Sequence, residues 1–177
     1  LHRKPSRNAC ETLLCRAPPS NTTGPHGTRT LLMSQHLQHD VLVIGSGAAG
    51  LTLALNLPDT LKIAVLSKGS LSNGSTYWAQ GGVAAVLDEA DTIDLHVGDT
   101  LNAGAGLCKA DVVRHTVEHS REAIEWLIEQ GVPFTRETGG AEELHLHREG
   151  GHSQRRIIHA ADATGAALFT TLLAEAR

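Results

Sequence analysis

The sequence predicts an α/β fold with a parallel sheet, on observations that lie next to each other in the chain. Branched apolar residues at 41–44 predict a buried strand, and Gly45, Gly47 and Gly50 follow it with the spacing G-x-G-x-x-G. The apolar segment 51–57 predicts a buried helix, which Pro58 ends. Strand, glycine turn and helix in this order predict a Rossmann-like βαβ unit that binds a dinucleotide.

Each of the three glycines has a physical role in such a unit. Gly45 permits the tight turn, Gly47 lets the backbone approach a pyrophosphate, and Gly50 lets the helix pack closely on the strand. The helix directs its N–H groups and the positive end of its dipole at the phosphates. The alternative is a glycine-rich turn that binds no ligand.

The next segment predicts a second parallel strand at 62–67 but lacks one feature of NAD-binding units. Such units carry an acidic residue about 20 positions after the glycines, which binds the ribose 2′-OH. Here Ser67, Lys68 and Gly69 occupy that place. This departure argues against an ordinary NAD dehydrogenase. It leaves open an FAD that is bound in another way, or a 2′-phosphate that is bound by Lys68.

The remaining elements follow from local patterns. Residues 69–82, rich in Gly, Ser and Thr, predict a loop that wraps a cofactor, and 83–87 predict a short strand. Asp91 is expected to cap a helix that ends at Gly104. Residues 109–130 predict one long helix, 134–148 a hairpin around Thr138, and 162–177 a last helix.

Composition excludes several classes of protein. The net charge is −4 and no basic stripe with interleaved aromatic residues occurs, so no nucleic-acid partner is expected. No apolar run is long enough to span a membrane. Three cysteines without metal spacing, at positions 10, 15 and 108, fit a reducing cytoplasm. His145 and His147 would share one face of a strand, and His152 is near, but no completing constellation is visible, so we predict no metal site.

Residues 1–32 differ from the rest of the chain. They are basic, carry a single Glu11 and show no apolar period, so we expect a disordered or upstream extension. Met33 is then the natural start, and a transit peptide is the alternative. We expect residues 33–177 to form the first part of the cofactor-binding domain.

Five blocks of sequence taken together resemble a known family. They lie at 45–50, 66–69, 75–82, 148–153 and 155–165, in this order. The chain resembles the L-aspartate oxidase family and, more distantly, the flavoprotein subunits of succinate dehydrogenase and fumarate reductase. The resemblance implies an incomplete N-terminal portion of a larger multi-domain flavoprotein. It implies oxidation of L-aspartate to iminoaspartate with oxygen or fumarate as acceptor, a first step of NAD synthesis that quinolinate synthase continues.

The resemblance also implies the site residues. Glu149 would orient the substrate, while the base arginine would lie beyond this segment, which alone would be inactive. Ser75 stands five residues before Gln80, where the dehydrogenase relatives carry the histidine that bonds to the flavin, so FAD would be bound non-covalently. The residues implied to bind FAD are Gly45, Ser46, Gly47, Ala48, Ala49, Gly50, Lys68, Ser75, Thr76, Tyr77, Trp78, Ala79, Gln80, Gly81 and Gly82.

Other interpretations remain open at this point. The chain could be a succinate dehydrogenase or fumarate reductase flavoprotein, a dinucleotide-binding module without catalysis, or an NADP-dependent reductase that uses Lys68. The alternative for Glu149 is a solvated loop residue that pairs with Arg148 or Arg155.

Overall fold

The computed structural model describes residues 11–14, 37–138 and 143–177. These divide into two compact units, one within residues 1–74 together with 176–177, and one formed by residues 75–175. Among the described residues, no helix combines the length and the apolar character that crossing a membrane requires.

The first unit contains the predicted βαβ arrangement. Strands β1 (Glu11–Leu14), β2 (Val41–Ile44) and β3 (Ile63–Ser67) form a parallel sheet in the order β1-β3-β2. Helix α1 (Ala48–Asn56) connects β2 to β3, and a short 3-10 helix covers Leu71–Asn73. Buried Val43, Ala54 and Val65 form the core of this first unit. The glycine motif therefore lies, as predicted, between a strand and a helix.

The prediction of a buried strand at 41–44 was wrong for one face of β2 among the described residues. Val43 points to the core and is 6% exposed, whereas Leu42 is 55% and Ile44 80% exposed. Successive side chains of a strand point to opposite faces, and the core that includes Ala54 of α1 lies on one face only. An apolar run is typical of a strand that is covered on both faces. The described residues do not cover the second face of β2.

Strand β1 lies within the segment 1–32, for which the sequence predicted no ordered element. Residues 11–14 pair in parallel with β3, from Glu11 opposite Ala64 to Leu14 opposite Ser67. Backbone groups make this pairing, so composition does not reveal it. Residues 1–10 and 15–36 lie outside the described residues, and a boundary at residue 33 stays a prediction.

The second unit combines helices with a small antiparallel sheet of order β4-β6-β5. Leu168 and Leu172 of the last helix are both buried. The elements of the second unit are α2 (Ser75–Trp78), β4 (Val83–Ala84), α3 (Ile93–Ala103), α4 (Ala110–Glu118), α5 (Ser120–Glu129), β5 (Leu146–His147), β6 (Ile157–Ile158) and α6 (Thr164–Glu175).

Three predictions of local structure between residues 69 and 130 were wrong. The long helix expected over 109–130 is divided at His119 into α4 and α5. The Ser120 hydroxyl donates to the Val117 carbonyl oxygen at 2.7 Å, and such side-chain bonds compete with the helix ladder. The expected loop 69–82 contains the 3-10 helix and α2, while the strand expected at 83–87 is only Val83–Ala84.

The two arms of the hairpin expected over 134–148 pair with each other in the structure. Arg136 and Leu144 form an antiparallel bridge, and the Glu137 N–H donates to the Glu143 carbonyl oxygen at 2.9 Å. The turn itself, at 139–142, lies outside the described residues.

Candidate functional site

The glycine turn has the backbone geometry that its sequence predicts. Gly45 has a φ of +112°, a conformation that residues with a Cβ rarely adopt. A Cβ on Gly50 would overlap the Gly45 carbonyl oxygen and would lie 3.3 Å from Cγ1 of Val43. The predicted roles of Gly45 in the turn and of Gly50 in close helix packing are therefore confirmed.

The beginning of α1 suits an anionic group. Gly47 is its N-cap, no side chain caps it with a hydrogen bond, and its first turn, which includes Ala48 and Ala49, holds no acidic residue. A helix N-terminus of this kind attracts phosphate through its N–H groups and dipole. Buried Ser46 donates from its hydroxyl to that of Ser67 at 3.2 Å, which ties the turn to the end of β3.

Residues 75–82 form a short helix and an exposed turn. The Gly165 N–H donates to the Ala79 carbonyl oxygen at 2.9 Å, and a Cβ on Gly165 would overlap the Thr76 carbonyl oxygen. The Tyr77 ring meets Phe169 edge-on at 5.7 Å between centroids. Contacts with α6 therefore hold α2 in place.

The outer side of this segment is free of such packing. Trp78 is 69% exposed, and Ser75, Ala79, Gln80 and Gly81 are exposed with it. Gly82 instead packs on β6, where a Cβ would overlap the Ile158 carbonyl oxygen. Gly82 thus has a packing role, while contacts of the exposed residues and of exposed Lys68 with FAD stay a prediction.

Glu149 follows β5 and lies beside Gly82. Its carboxylate oxygen Oε1 is 3.0 Å from His147 Nε2. The hydrogen bond from His147 lowers the pKa of Glu149, and a backbone hydrogen bond from Gly82 acts in the same direction. The structure therefore gives Glu149 partners other than Arg148 and Arg155, and these partners favour its ionised form.

The loop after Glu149 is anchored by a buried ionic network that the sequence did not reveal. The Arg156 side chain is 0% exposed, and its Nε and Nη2 donate to the two carboxylate oxygens of Asp91 at 2.7 and 2.8 Å. Its Nη1 donates to Asp99 Oδ2 at 2.8 Å. Asp99 Oδ2 also accepts from the N–H and the hydroxyl of Ser153, each at 2.7 Å. Arg156 and Asp99 thereby connect β6 and α3 to the loop of residues 149–153.

The prediction that Asp91 caps α3 was therefore wrong. Thr92 is the N-cap, and its hydroxyl oxygen accepts from the Leu95 N–H at 3.2 Å. An acidic residue before a helix predicts a cap only when no stronger partner is present. Here the partner is a guanidinium that lies 65 residues later in the sequence. The one available signal was an arginine directly before the apolar pair Ile157 and Ile158.

Comparison with known proteins identifies the fold. Residues 40–177 match the FAD binding domain family. The chain belongs to this family of FAD-binding domains. FAD is thus the cofactor that the fold supports, and the uncapped start of α1 fits its pyrophosphate.

Known proteins similar to this flavin domain include several L-aspartate oxidases. That of Pseudomonas aeruginosa is 75% identical over an alignment of 150 residues, which covers 82% of this chain and 28% of that enzyme. That of Yersinia pestis is 57% identical over 145 residues, covering 81% of this chain and 27% of the relative. The chain thus spans about a quarter of the length of these curated relatives.

Among solved structures, the flavin domain resembles a variant of the E. coli quinol fumarate reductase FrdA. The TM-score is 0.74 at 34% identity, over 81% of this chain and 25% of that one. Mycobacterium smegmatis Sdh1 gives a TM-score of 0.68 at 28% identity, over 77% of this chain and 23% of that one. The predicted fold class is confirmed as the FAD-binding domain of the succinate dehydrogenase and fumarate reductase type, of which the chain matches only the N-terminal part.

Three histidines of the flavin domain lie together where the sequence had pointed to two. His145, His147 and His159 place one ring nitrogen each within 4.8 Å of the others. His159 follows β6 and is distant in sequence, so the spacing of His145 and His147 did not reveal it. His152 lies elsewhere, with its ring 5.8 Å from that of His96.

His96 is expected to make stability pH-dependent. It is 6% exposed, and its Nδ1 has no hydrogen-bond partner among the described residues. Burial lowers its pKa from 6.5, and the Arg156 charge acts in the same direction. The unfolded chain thus binds the proton more readily, so the contribution is complete above pH 6.5 and lost as pH falls through the folded pKa.

The measurement is the urea midpoint of the full-length protein between neutral pH and mildly acidic pH. The midpoint should fall with pH in the wild type and fall less in His96→Asn. The matched control is His119→Asn at an exposed position, which should retain the wild-type slope. Equal slopes in all three proteins would contradict the prediction.

Proposed function

We propose that the protein containing this chain oxidises L-aspartate to iminoaspartate with bound FAD, and that oxygen or fumarate reoxidises the flavin. The observation that carries the proposal is 75% identity with an L-aspartate oxidase over 82% of this chain. The product would feed quinolinate formation and NAD synthesis in the cytoplasm, with quinolinate synthase as the next enzyme.

The first part of the mechanism is cofactor binding. FAD, when bound, accepts the hydride that leaves the α-carbon of the substrate. We assign the pyrophosphate to the turn of residues 45–50 and the N-terminus of α1, whose first turn holds no acidic side chain that would repel an anion. Lys68 and the exposed residues of 75–82 are assigned to further contacts with FAD.

The second part is substrate orientation by Glu149. An aspartate ammonium group offers this carboxylate a charge-assisted hydrogen bond, whereas a further substrate carboxylate there is repelled. The partners His147 and Gly82 favour the charged form that this role requires. The Asp91–Arg156–Asp99 network holds Ser153 and thus limits the freedom of the loop that begins at Glu149. Such positioning supplies a large part of the rate in enzymes that hold a substrate against a cofactor.

Anaerobic mixing of the full-length protein with L-aspartate tests the function. The visible absorbance of oxidised flavin should disappear with aspartate and persist with succinate. Reduction by succinate alone would favour a succinate dehydrogenase or fumarate reductase flavoprotein. Retained FAD that neither compound reduces would indicate a binding module without catalysis.

We expect FAD to be bound without a covalent link to this chain. Ser75 occupies the position at which, by the family resemblance, the dehydrogenase relatives have a histidine bonded to the flavin. A serine hydroxyl is a poor equivalent of that imidazole. Acid precipitation of the full-length protein should release all the yellow colour into the supernatant. Yellow colour that stays in the precipitate of the wild type, and also in that of a Ser75→Ala variant, would contradict a non-covalent site.

A further inference from the structure

We propose that His145, His147 and His159 form a binding site for a divalent transition-metal ion of the Zn²⁺ class. The evidence for the site is the arrangement of three imidazoles on the small sheet of the second unit, so it does not depend on the proposed oxidation of aspartate, although His147 also contacts Glu149.

Strand register explains why the three rings meet. Strands β5 and β6 are antiparallel, with Leu146 opposite Ile158 and His147 opposite Ile157. Extending this register by one pair places His145 opposite His159. His145 and His147 are two residues apart, so they share one face of the strand. The ring centroids of His147 and His159 are 4.7 Å apart, and His145 Nδ1 is 2.8 Å from His159 Nε2.

The hydrogen bonds around the cluster indicate which nitrogen each ring offers. His159 Nδ1 is 3.2 Å from the Ala161 carbonyl oxygen, which only accepts, so Nδ1 carries the proton and Nε2 keeps its lone pair. His147 Nε2 donates to the Glu149 carboxylate at 3.0 Å, which leaves Nδ1 to the ion. A carboxylate or carbonyl behind a ligating histidine is the usual outer partner of such sites.

The third ligand is then His145 Nδ1. Without an ion, this nitrogen donates the shared proton to His159 Nε2. A bound cation takes the place of that proton, and the His145 proton moves to Nε2. Zn–N bonds are about 2.0–2.1 Å, so two ligand nitrogens lie about 3.3 Å apart in a tetrahedral site. The pair thus separates by about half an ångström, which partly buried side chains can accommodate.

The ligand set selects the class of ion. Three neutral imidazoles suit Zn²⁺, Ni²⁺ and Cu²⁺, whereas Mg²⁺ and Ca²⁺ require oxygen ligands. Three protein ligands leave a fourth position for water.

The test is a calorimetric titration of ZnCl₂ into the full-length flavoprotein after removal of any affinity tag. We expect one saturable site per chain, and affinity reduced by on the order of a hundredfold in His159→Asn and in His147→Asn. The control is His119→Asn: His119 lies 4.3 Å from His115 between ring centroids, an exposed pair outside the cluster, and its loss should leave this affinity unchanged.

Circular dichroism and flavin content establish that each variant is folded, and His147→Asn decides the question if His159→Asn does not fold. Absence of a saturable site, or equal affinity in the wild type and His147→Asn, would overturn the proposal and leave the cluster as a hydrogen-bonded group. The readout is binding of Zn²⁺, so the result does not depend on whether aspartate is the substrate.

Discussion

Arg156→Met should destabilise the protein by about 3–5 kcal/mol, because it leaves two carboxylates without their cation in a buried site. Asp91 is 1% and Asp99 17% exposed in its side chain, and both bind the Arg156 guanidinium at 2.7–2.8 Å. The N–H of Ser153 is the main cause of a lowered pKa at Asp99, so this carboxylate stays charged when the arginine is removed.

Urea unfolding of the full-length protein measures the effect. Arg156→Lys should lie between Met and the wild type, since lysine keeps the charge and loses the bidentate geometry. Arg114→Ala is the matched control: its bond to Asp94 is also 2.7 Å long, but the side chains are 48% and 81% exposed. The control should have little effect, because exposed ion pairs contribute little to stability. A loss at Arg156 no larger than at Arg114 would show that the network contributes little to stability.

Glu149→Gln should lower kcat/KM for aspartate oxidation by on the order of a hundredfold to a thousandfold, about 3–4 kcal/mol of transition-state stabilisation. The amide cannot neutralise the substrate ammonium group, and loss of a charge partner has effects of this size once bound FAD and substrate close the site around Glu149. Fumarate has no amine, so its reduction by the same variant should fall far less.

Both activities are measured in the full-length enzyme, with flavin content as a check on folding. Arg148→Gln alters the neighbouring exposed charge and should change either activity only slightly. Equal losses with aspartate and fumarate in Glu149→Gln would mean that Glu149 supports the loop rather than binds the amine. His147→Asn separates the two roles further, because it removes the hydrogen-bond partner and keeps the carboxylate.

Local sequence was a sufficient guide to the βαβ unit. The strand, Gly45, the helix and Pro58 are consecutive, and each constrains backbone conformation within a few residues of itself. The same reasoning failed at residue 119, where apolar spacing continued from Val117 to Ile124 although the helix did not. Seven residues are two helical turns, so a broken helix keeps the same buried face and the pattern cannot report the break.

Local sequence was enough to predict the fold class, the glycine turn and the family resemblance, because these depend on residues that are neighbours in the chain. The contacts of Asp91 with Arg156 and of His145 with His159 became apparent in the folded structure. A charged or imidazole side chain takes its role from the partner that burial brings to it. In both cases that partner comes from a separate element, and strand register and helix packing determine which side chains come into contact.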